Sequence, residues 1–152
     1  MRPGWTSPLH GQRVDLAWLD QDAFVHIRGT KDDWRSAKLL LIEFWASVFR
    51  HLSEVAANER AVKVVTFADE GIFNNTPTDV AALKNFIFAR TDMNYPIFVD
   101  TQHVAYNALF KPGQNLSIPL VFMITVQDRQ IRWVGNAEEM ATPLADTLAA
   151  LR

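Results

Sequence analysis

Cysteine is absent from the 152-residue sequence, and so are long apolar runs and an excess of positive charge. Without thiols the chain can form no disulfide or thiolate metal site, and it has no cysteine nucleophile or redox centre. Apolar runs such as Leu39–Ile42 are far shorter than the roughly 20 residues that span a bilayer. With 15 basic and 17 acidic residues the net charge is −2. We therefore expect neither nucleic acid nor a membrane as partner.

Residues 1–13 are polar, rich in proline and glycine, and without the apolar stretch typical of a secretory signal. We interpret them as a loose N-terminal segment and expect residues 14–152 to form one domain. The missing signal favours a cytoplasmic location. Trp5, Trp18 and Trp34 are expected to pack against a sheet edge, because no basic groove accompanies them as a platform for stacking bases.

Two nearly continuous apolar runs predict strands that are covered on both faces. The first is Lys38–Trp45 and the second is Ala61–Phe67. Short apolar segments between polar turns predict further extended structure. These segments are Val14–Leu19, Phe24–Ile27, Ile97–Val99 and a hairpin of Leu120–Val126 with Gln130–Val134.

Helices are predicted between these strands, each preceded by a typical capping residue. The expected starts are Ser47, Thr76 followed by Pro77, and Thr142 followed by Pro143, with a further short helix at Gln102–Phe110. Alternating helices and buried strands indicate parallel crossovers, whereas the hairpin must be antiparallel. The pattern therefore predicts a single-domain α/β fold with a mixed central sheet and helices on both faces.

Several segments, in order along the chain, resemble motifs of thioredoxin-like proteins of the TlpA-like type. Glu43–Ser47 (EFWAS) resembles the segment before the CxxC motif, and Ser117–Phe122 (SIPLVF) resembles the segment that carries the family's cis proline. Ile131–Gly135 resembles the strand that follows, and two other segments resemble fungal-type members: Asp15–Leu19 and Met93–Asp100. The resemblance implies a thioredoxin-like fold over about residues 11–150.

The sequence lacks the two cysteines on which the chemistry of this family depends. Phe49 and Leu52 stand where the resemblance places the two cysteines. A thioredoxin works because a thiolate attacks a disulfide, and neither replacement has a nucleophile or a redox couple. We therefore expect a redox-inactive protein.

The remaining candidate catalytic residues are Glu43 and His51. Glu43 interrupts the apolar run of a strand that should be buried, and in the family an acid at this position assists proton transfer. A buried carboxyl can act as a general acid or base, or it can be an inert, hydrogen-bonded remnant. His51 lies in the first turn of the predicted helix and could move a proton near neutral pH, although for this residue alone a solvated surface histidine is favoured.

The candidate ligand-binding residues surround the same place. Arg50 could hold an anion beside a helix N-terminus, although for this residue alone a solvated surface arginine is favoured. Phe49 and Leu52 could form an apolar patch, or they could simply fill the core. The resemblance implies a cis peptide bond before Pro119, which would expose backbone for an extended peptide. The full set is Trp45, Phe49, Arg50, Leu52, Ser117, Ile118 and Pro119.

Two functions fit these residues. The first is a redox-inactive binding protein whose Phe49/Pro119 face takes a peptide, a protein partner or a small hydrophobic ligand. The second is a non-redox enzyme, such as an isomerase, dehydratase, cyclase or glutathione-using transferase, with Glu43 and His51 as acid–base groups. Neither function calls for a cofactor. The histidines lack metal-ligand spacing, so we expect no metal site.

Overall fold

The computed structural model describes residues 7–45, 60–69, 78–89, 95–113 and 119–151. Six strands form one mixed sheet in the order β1-β4-β3-β2-β5-β6. The strands β2, β3 and β4 run parallel, whereas β1, β5 and β6 are antiparallel to the strands they pair with. The six strands are β1 (Val25–Arg28), β2 (Leu39–Trp45), β3 (Val62–Ala68), β4 (Ile97–Val99), β5 (Leu120–Thr125) and β6 (Gln130–Gly135).

The central strand β2 is buried along its whole length, as its continuous apolar sequence predicts. Because successive side chains of a strand point to opposite faces, β2 serves two cores. Leu40, Ile42 and Phe44 belong to one core. Leu39, Leu41 and Trp45 belong to the other. Glu43, the single acidic residue of β2, lies on the same face as Trp45.

Helical segments cover both faces of the sheet. The helices α1 (Val80–Phe88) and α2 (Ala141–Ala150) pack through Leu83, Ile87 and Leu144 onto the core that contains Trp45. The opposite core is covered by two 3-10 turns and a π-helical segment: Ala17–Asp20, Trp34–Ser36 and Tyr106–Phe110. No helix within the described residues is long and apolar enough to cross a membrane.

The strand predictions are confirmed within one or two residues, except at the N-terminal side. Val14–Leu19 was expected to be extended, but the structure forms a 3-10 turn at Ala17–Asp20. The Asp15 side chain causes this difference by accepting a hydrogen bond from the backbone N–H of Ala17 at 2.9 Å. Such local side-chain bonds favour turns over strands.

Two predicted helix starts are wrong. The helix α1 begins at Val80, where the Asp79 side chain accepts from the N–H of Ala82, so Asp79 is the cap in place of Thr76. The helix α2 begins at Ala141 after Met140, without a side-chain cap, and Thr142 lies inside it. Met140, the residue before this start, is buried, with an exposed fraction of 2%. The predicted helix after Ser47 lies outside the described residues.

Residues 7–13 are hydrogen bonded to β6 and its turn. The N–H of Gly11 donates to the carbonyl of Ile131 at 2.8 Å, and the N–H of Ile131 donates to that of Gln12 at 2.9 Å. Arg13 forms an isolated antiparallel bridge with Gln130. These contacts attach part of the predicted loose segment to the sheet, and its boundary at residue 13 stays a prediction.

Substituting Gly29 with alanine should destabilise the pairing of β1 with β4. Gly29 has a φ of +74°, and an added Cβ would lie 2.7 Å from the backbone Cα of Pro96. Gly11 is the matched control, because its φ is +81° but no atom lies within 4 Å of the added Cβ. We expect Gly11→Ala to lower the free energy of unfolding by about 1–2 kcal/mol. Gly29→Ala should cost a further ~1–3 kcal/mol from overpacking. Chemical denaturation measures both, and equal losses would contradict the close approach.

Candidate functional site

The end of β2 and the start of β5 lie side by side at one edge of the sheet. The antiparallel register pairs Phe44 with Leu120 and Glu43 with Val121. Pro119, which directly precedes Leu120, is buried, and Trp45 directly follows Phe44. The structure thus brings together the two segments that the sequence analysis selected, although they are more than 70 residues apart in the chain.

Glu43 is fully buried at this edge. In the sheet register it lies between Thr66 of β3 and Val121 of β5. The sequence analysis expected a buried acid at this position, and the structure confirms the burial. A carboxyl that is closed off from solvent can contact a substrate only if the surrounding chain opens.

Trp45 is also fully buried, and its indole N–H donates to the Thr66 hydroxyl at 3.1 Å. The Thr66 hydroxyl in turn donates to the carbonyl of Pro96 at 3.0 Å. This chain of hydrogen bonds connects the end of β2 through β3 to Pro96, the residue before β4. Full burial keeps Trp45 from the surface, and its assignment as a ligand-binding residue stays a prediction.

Six candidate residues lie outside the described residues, and their assignment stays a prediction. They are Phe49, Arg50, His51, Leu52, Ser117 and Ile118. The isomer of the peptide bond before Pro119 involves Ile118 and is likewise a prediction.

Sequence reasoning missed a set of acidic and histidine residues at the same edge. Asp69 and Asp100 directly follow β3 and β4, and both are buried, with exposed fractions of 4% and 2%. The N–H of Asp69 donates to the carbonyl of Trp45 at 2.9 Å, which places this carboxyl next to the end of β2. His103 lies with its Nδ1 atom 3.3 Å from Asp69 Oδ2, at ion-pair distance.

Asp100 organises the segment that carries His103. Its two carboxylate oxygens accept from the N–H groups of Val104 and Tyr106, both at 2.8 Å. Burial raises the pKa of Asp100, and these backbone N–H donors oppose that effect only in part. His103 itself has a φ of +56°, an uncommon conformation for a residue other than glycine. Asp100 thus fixes the backbone that presents His103 to Asp69.

The sequence contains a pattern that could have predicted Asp69 and Asp100 as site residues. An acidic residue comes directly after each of two buried strands, and the carboxyl ends of parallel strands meet at one edge of a sheet, where ligands commonly bind. The sequence analysis considered His103 only as a metal ligand. Within the described ranges, no group of three or more His, Asp or Glu side chains could hold a metal ion.

Comparison with solved structures identifies the fold. The exposed lipoprotein thioredoxin of Streptococcus pneumoniae has a TM-score of 0.58 and 19% identity, over 84% of this chain and 99% of that one. A thiol-disulfide isomerase from Corynebacterium glutamicum has a TM-score of 0.59 and 16% identity, over 95% and 96%. A putative thiol:disulfide interchange protein DsbE from Chlorobium tepidum has a TM-score of 0.59 and 13% identity, over 94% and 98%.

No protein-family model matches the sequence, and no curated protein is significantly similar to it. The structural matches nevertheless confirm the predicted fold: the chain has the single-domain thioredoxin-like fold. In particular, it is a thioredoxin-like chain without any cysteine. That composition is compatible with the redox inactivity expected from the sequence.

Proposed function

We propose that this protein is a redox-inactive thioredoxin-like binding protein. Its ligand-binding face is formed by Phe49, Leu52 and the segment that ends at Pro119, with Arg50 at its margin. The ligand is a peptide, a protein partner or a small hydrophobic molecule. One observation carries the proposal: a sheet related in fold to thiol-disulfide oxidoreductases keeps the end of β2 beside Pro119, while the chain has no cysteine.

The rigidity of this edge supports binding. Hydrogen bonds from Trp45 to Thr66 and from Thr66 to the Pro96 carbonyl tie the end of β2 to its neighbouring strand, so the segment that leaves β2 starts from a fixed position. A preformed surface avoids part of the ordering cost of association. Replacing two small thiols by a phenylalanine and a leucine adds apolar area, which favours a ligand with apolar groups.

Full burial of Glu43 favours the binding protein over an enzyme. In the enzymatic alternative, Glu43 and His51 would exchange protons with a small metabolite, and Glu43 would have to lie within hydrogen-bond reach of it. The Glu43→Gln variant separates the two functions, because it should leave binding intact. If Glu43→Gln instead abolishes a turnover that the native chain shows, the enzymatic alternative is correct.

Replacing Phe49 by alanine should reduce ligand binding by about tenfold, because buried aromatic side chains dominate the energetics of most binding surfaces. Small molecules and peptides that stay bound through purification are identified by mass spectrometry, and the amount per chain is compared between native and variant protein. The compound found is then titrated by calorimetry.

The matched control is Phe88→Ala. Phe88 is 57% exposed on α1. The Phe88→Ala variant therefore loses a phenylalanine side chain, as Phe49→Ala does, but from the exposed surface of this helix. We expect this control to bind like the native chain. A Phe49→Ala variant that retains the same compounds with unchanged affinity would show that this face is not the binding site.

A further inference from the structure

A cleft lies at the opposite end of the sheet from Pro119. It has a volume of about 500 Å³ and is lined by the segment Arg13–Ala17, by Trp34 and Arg35, and by Arg129 in the turn between β5 and β6. At this end Leu39 pairs with Thr125, whereas Phe44 pairs with Leu120 at the other. A strand rises about 3.3 Å per residue, so roughly 20 Å separate the first and last residues of β2.

Hydrogen bonds hold the walls of this cleft in place. The N–H of Val14 donates to the carbonyl of Arg129 at 2.9 Å, which joins the N-terminal segment to the hairpin turn. The bridge between Arg13 and Gln130 continues this contact. Arg129 has a φ of +58°, so its backbone is fixed in an uncommon conformation by the turn. The fold therefore fixes the positions of the three chain segments that line the cleft: the N-terminal segment, the turn that carries Trp34 and the hairpin turn.

The indole of Trp34 orients two of the guanidinium groups. The guanidinium carbons of Arg35 and Arg129 lie 4.4 Å and 4.7 Å from the centroid of the indole ring. Trp34 is 1% exposed, and its indole N–H donates to Asp20 at 3.1 Å. Stacking of this kind restricts a long side chain and leaves its N–H donors available to a ligand.

Positive charge in the cleft exceeds negative charge. Arg35 is already paired, because it donates to both oxygens of Asp20 at 3.0 Å and 2.6 Å, and this pair holds the pKa of Asp20 below its usual range. Asp15 is the one carboxylate among the lining residues. Within the described part of the chain, no carboxylate lies at ion-pair distance from Arg13 or Arg129.

We propose that this cleft binds a small organic phosphate through Arg13 and Arg129, with Arg35 at its edge. Each guanidinium group presents paired N–H donors that match phosphate oxygens. Two guanidinium groups together balance the two negative charges of a phosphate dianion. The volume lies in the range of small-molecule sites. Since the whole chain has a net charge of −2, the excess of positive charge here is local. The site is independent of the function proposed for the Pro119 face.

Pyrophosphate is the probe for this site, and nuclear magnetic resonance of the ¹⁵N-labelled full chain is the measurement. At constant ionic strength, pyrophosphate should shift the Trp34 indole N–H signal in a saturable way. Arg129→Gln should raise the apparent Kd about tenfold, because each charge-assisted hydrogen bond contributes substantially to affinity. Arg13→Gln is the second variant and should also raise the apparent Kd.

The control variant is Arg132→Gln. Arg132 lies on β6, pairs with Asp128 at 2.6 Å and does not line the cleft, so its loss should leave the Kd unchanged. Weakening by Arg132→Gln as large as that by Arg129→Gln would mean diffuse electrostatic attraction and would overturn the site. Absence of a saturable shift would overturn it as well. A titration with succinate compares a dicarboxylate with the phosphate probe. Weaker binding of succinate than of pyrophosphate supports the phosphate assignment, and equal or tighter binding of succinate refutes it.

Discussion

The purified protein should reduce insulin disulfides no faster than dithiothreitol alone. Disulfide exchange needs a thiolate that attacks a sulfur atom and a second thiol that resolves the mixed disulfide. The chain contains neither, since none of its 152 residues is cysteine. The measurement is the turbidity of precipitating insulin chains at several protein concentrations. Turnover that increases with the amount of pure protein would refute the redox-inactive assignment.

The double variant Phe49→Cys with Leu52→Cys tests whether restoring the two cysteines also restores disulfide reduction. The family resemblance places both residues at the cysteine positions, and the fold that surrounds them is thioredoxin-like. We therefore expect this variant to gain catalysed insulin reduction, a change from no activity to a measurable rate. As a control, two cysteines with the same spacing on the exposed side of α2, at Asp146 and Ala149, should give no catalysis. A folded double variant without activity would show that Phe49 and Leu52 do not occupy the former catalytic positions.

The largest loss of stability is expected for Phe44→Ala. Phe44 is fully buried on β2, and its ring centroid lies 5.9 Å from that of Phe67, 5.5 Å from Phe110 and 5.8 Å from Phe122. Its removal deletes the shared contact of strands β2, β3 and β5 with the π-helical segment. Deleting a buried phenylalanine side chain typically lowers the free energy of unfolding by about 3–5 kcal/mol.

Guanidinium chloride unfolding followed by circular dichroism measures this loss. The exposed Phe88 again provides the control, and Phe88→Ala should change the free energy of unfolding by about 0.5 kcal/mol. Similar midpoints for the two variants would contradict the central place of Phe44 in the core.

The strands could be predicted more accurately than the helix starts, and the reason is physical. Leu39–Trp45 is buried on both faces, and only a nearly continuous apolar sequence satisfies that position. At the start of α1, both Thr76 and Asp79 are good capping residues three positions apart, and local preference alone does not choose between them. In the structure the Asp79 side chain accepts from the N–H of Ala82, and the helix that follows packs Leu83 and Ile87 against the sheet.

The candidate site was also predictable in part. Glu43 could be found because an acidic residue in a buried strand conflicts with its surroundings, and conflicts of this kind mark functional positions. Asp69 and His103 were missed as a pair because they are 34 positions apart in the chain and only the packing of β3 beside β4 brings them within 3.3 Å.

Composition by itself determined that this protein has no cysteine thiol of its own, because no arrangement in space supplies an atom that the chain lacks. The order of apolar runs determined the α/β class, since burial on both faces restricts which residues a central strand can contain. The tertiary structure alone decided where charge accumulates. Arg13, Arg35 and Arg129 are scattered along a chain with a net charge of −2, and they share one cleft only because the N-terminal segment pairs with the hairpin turn beside Trp34.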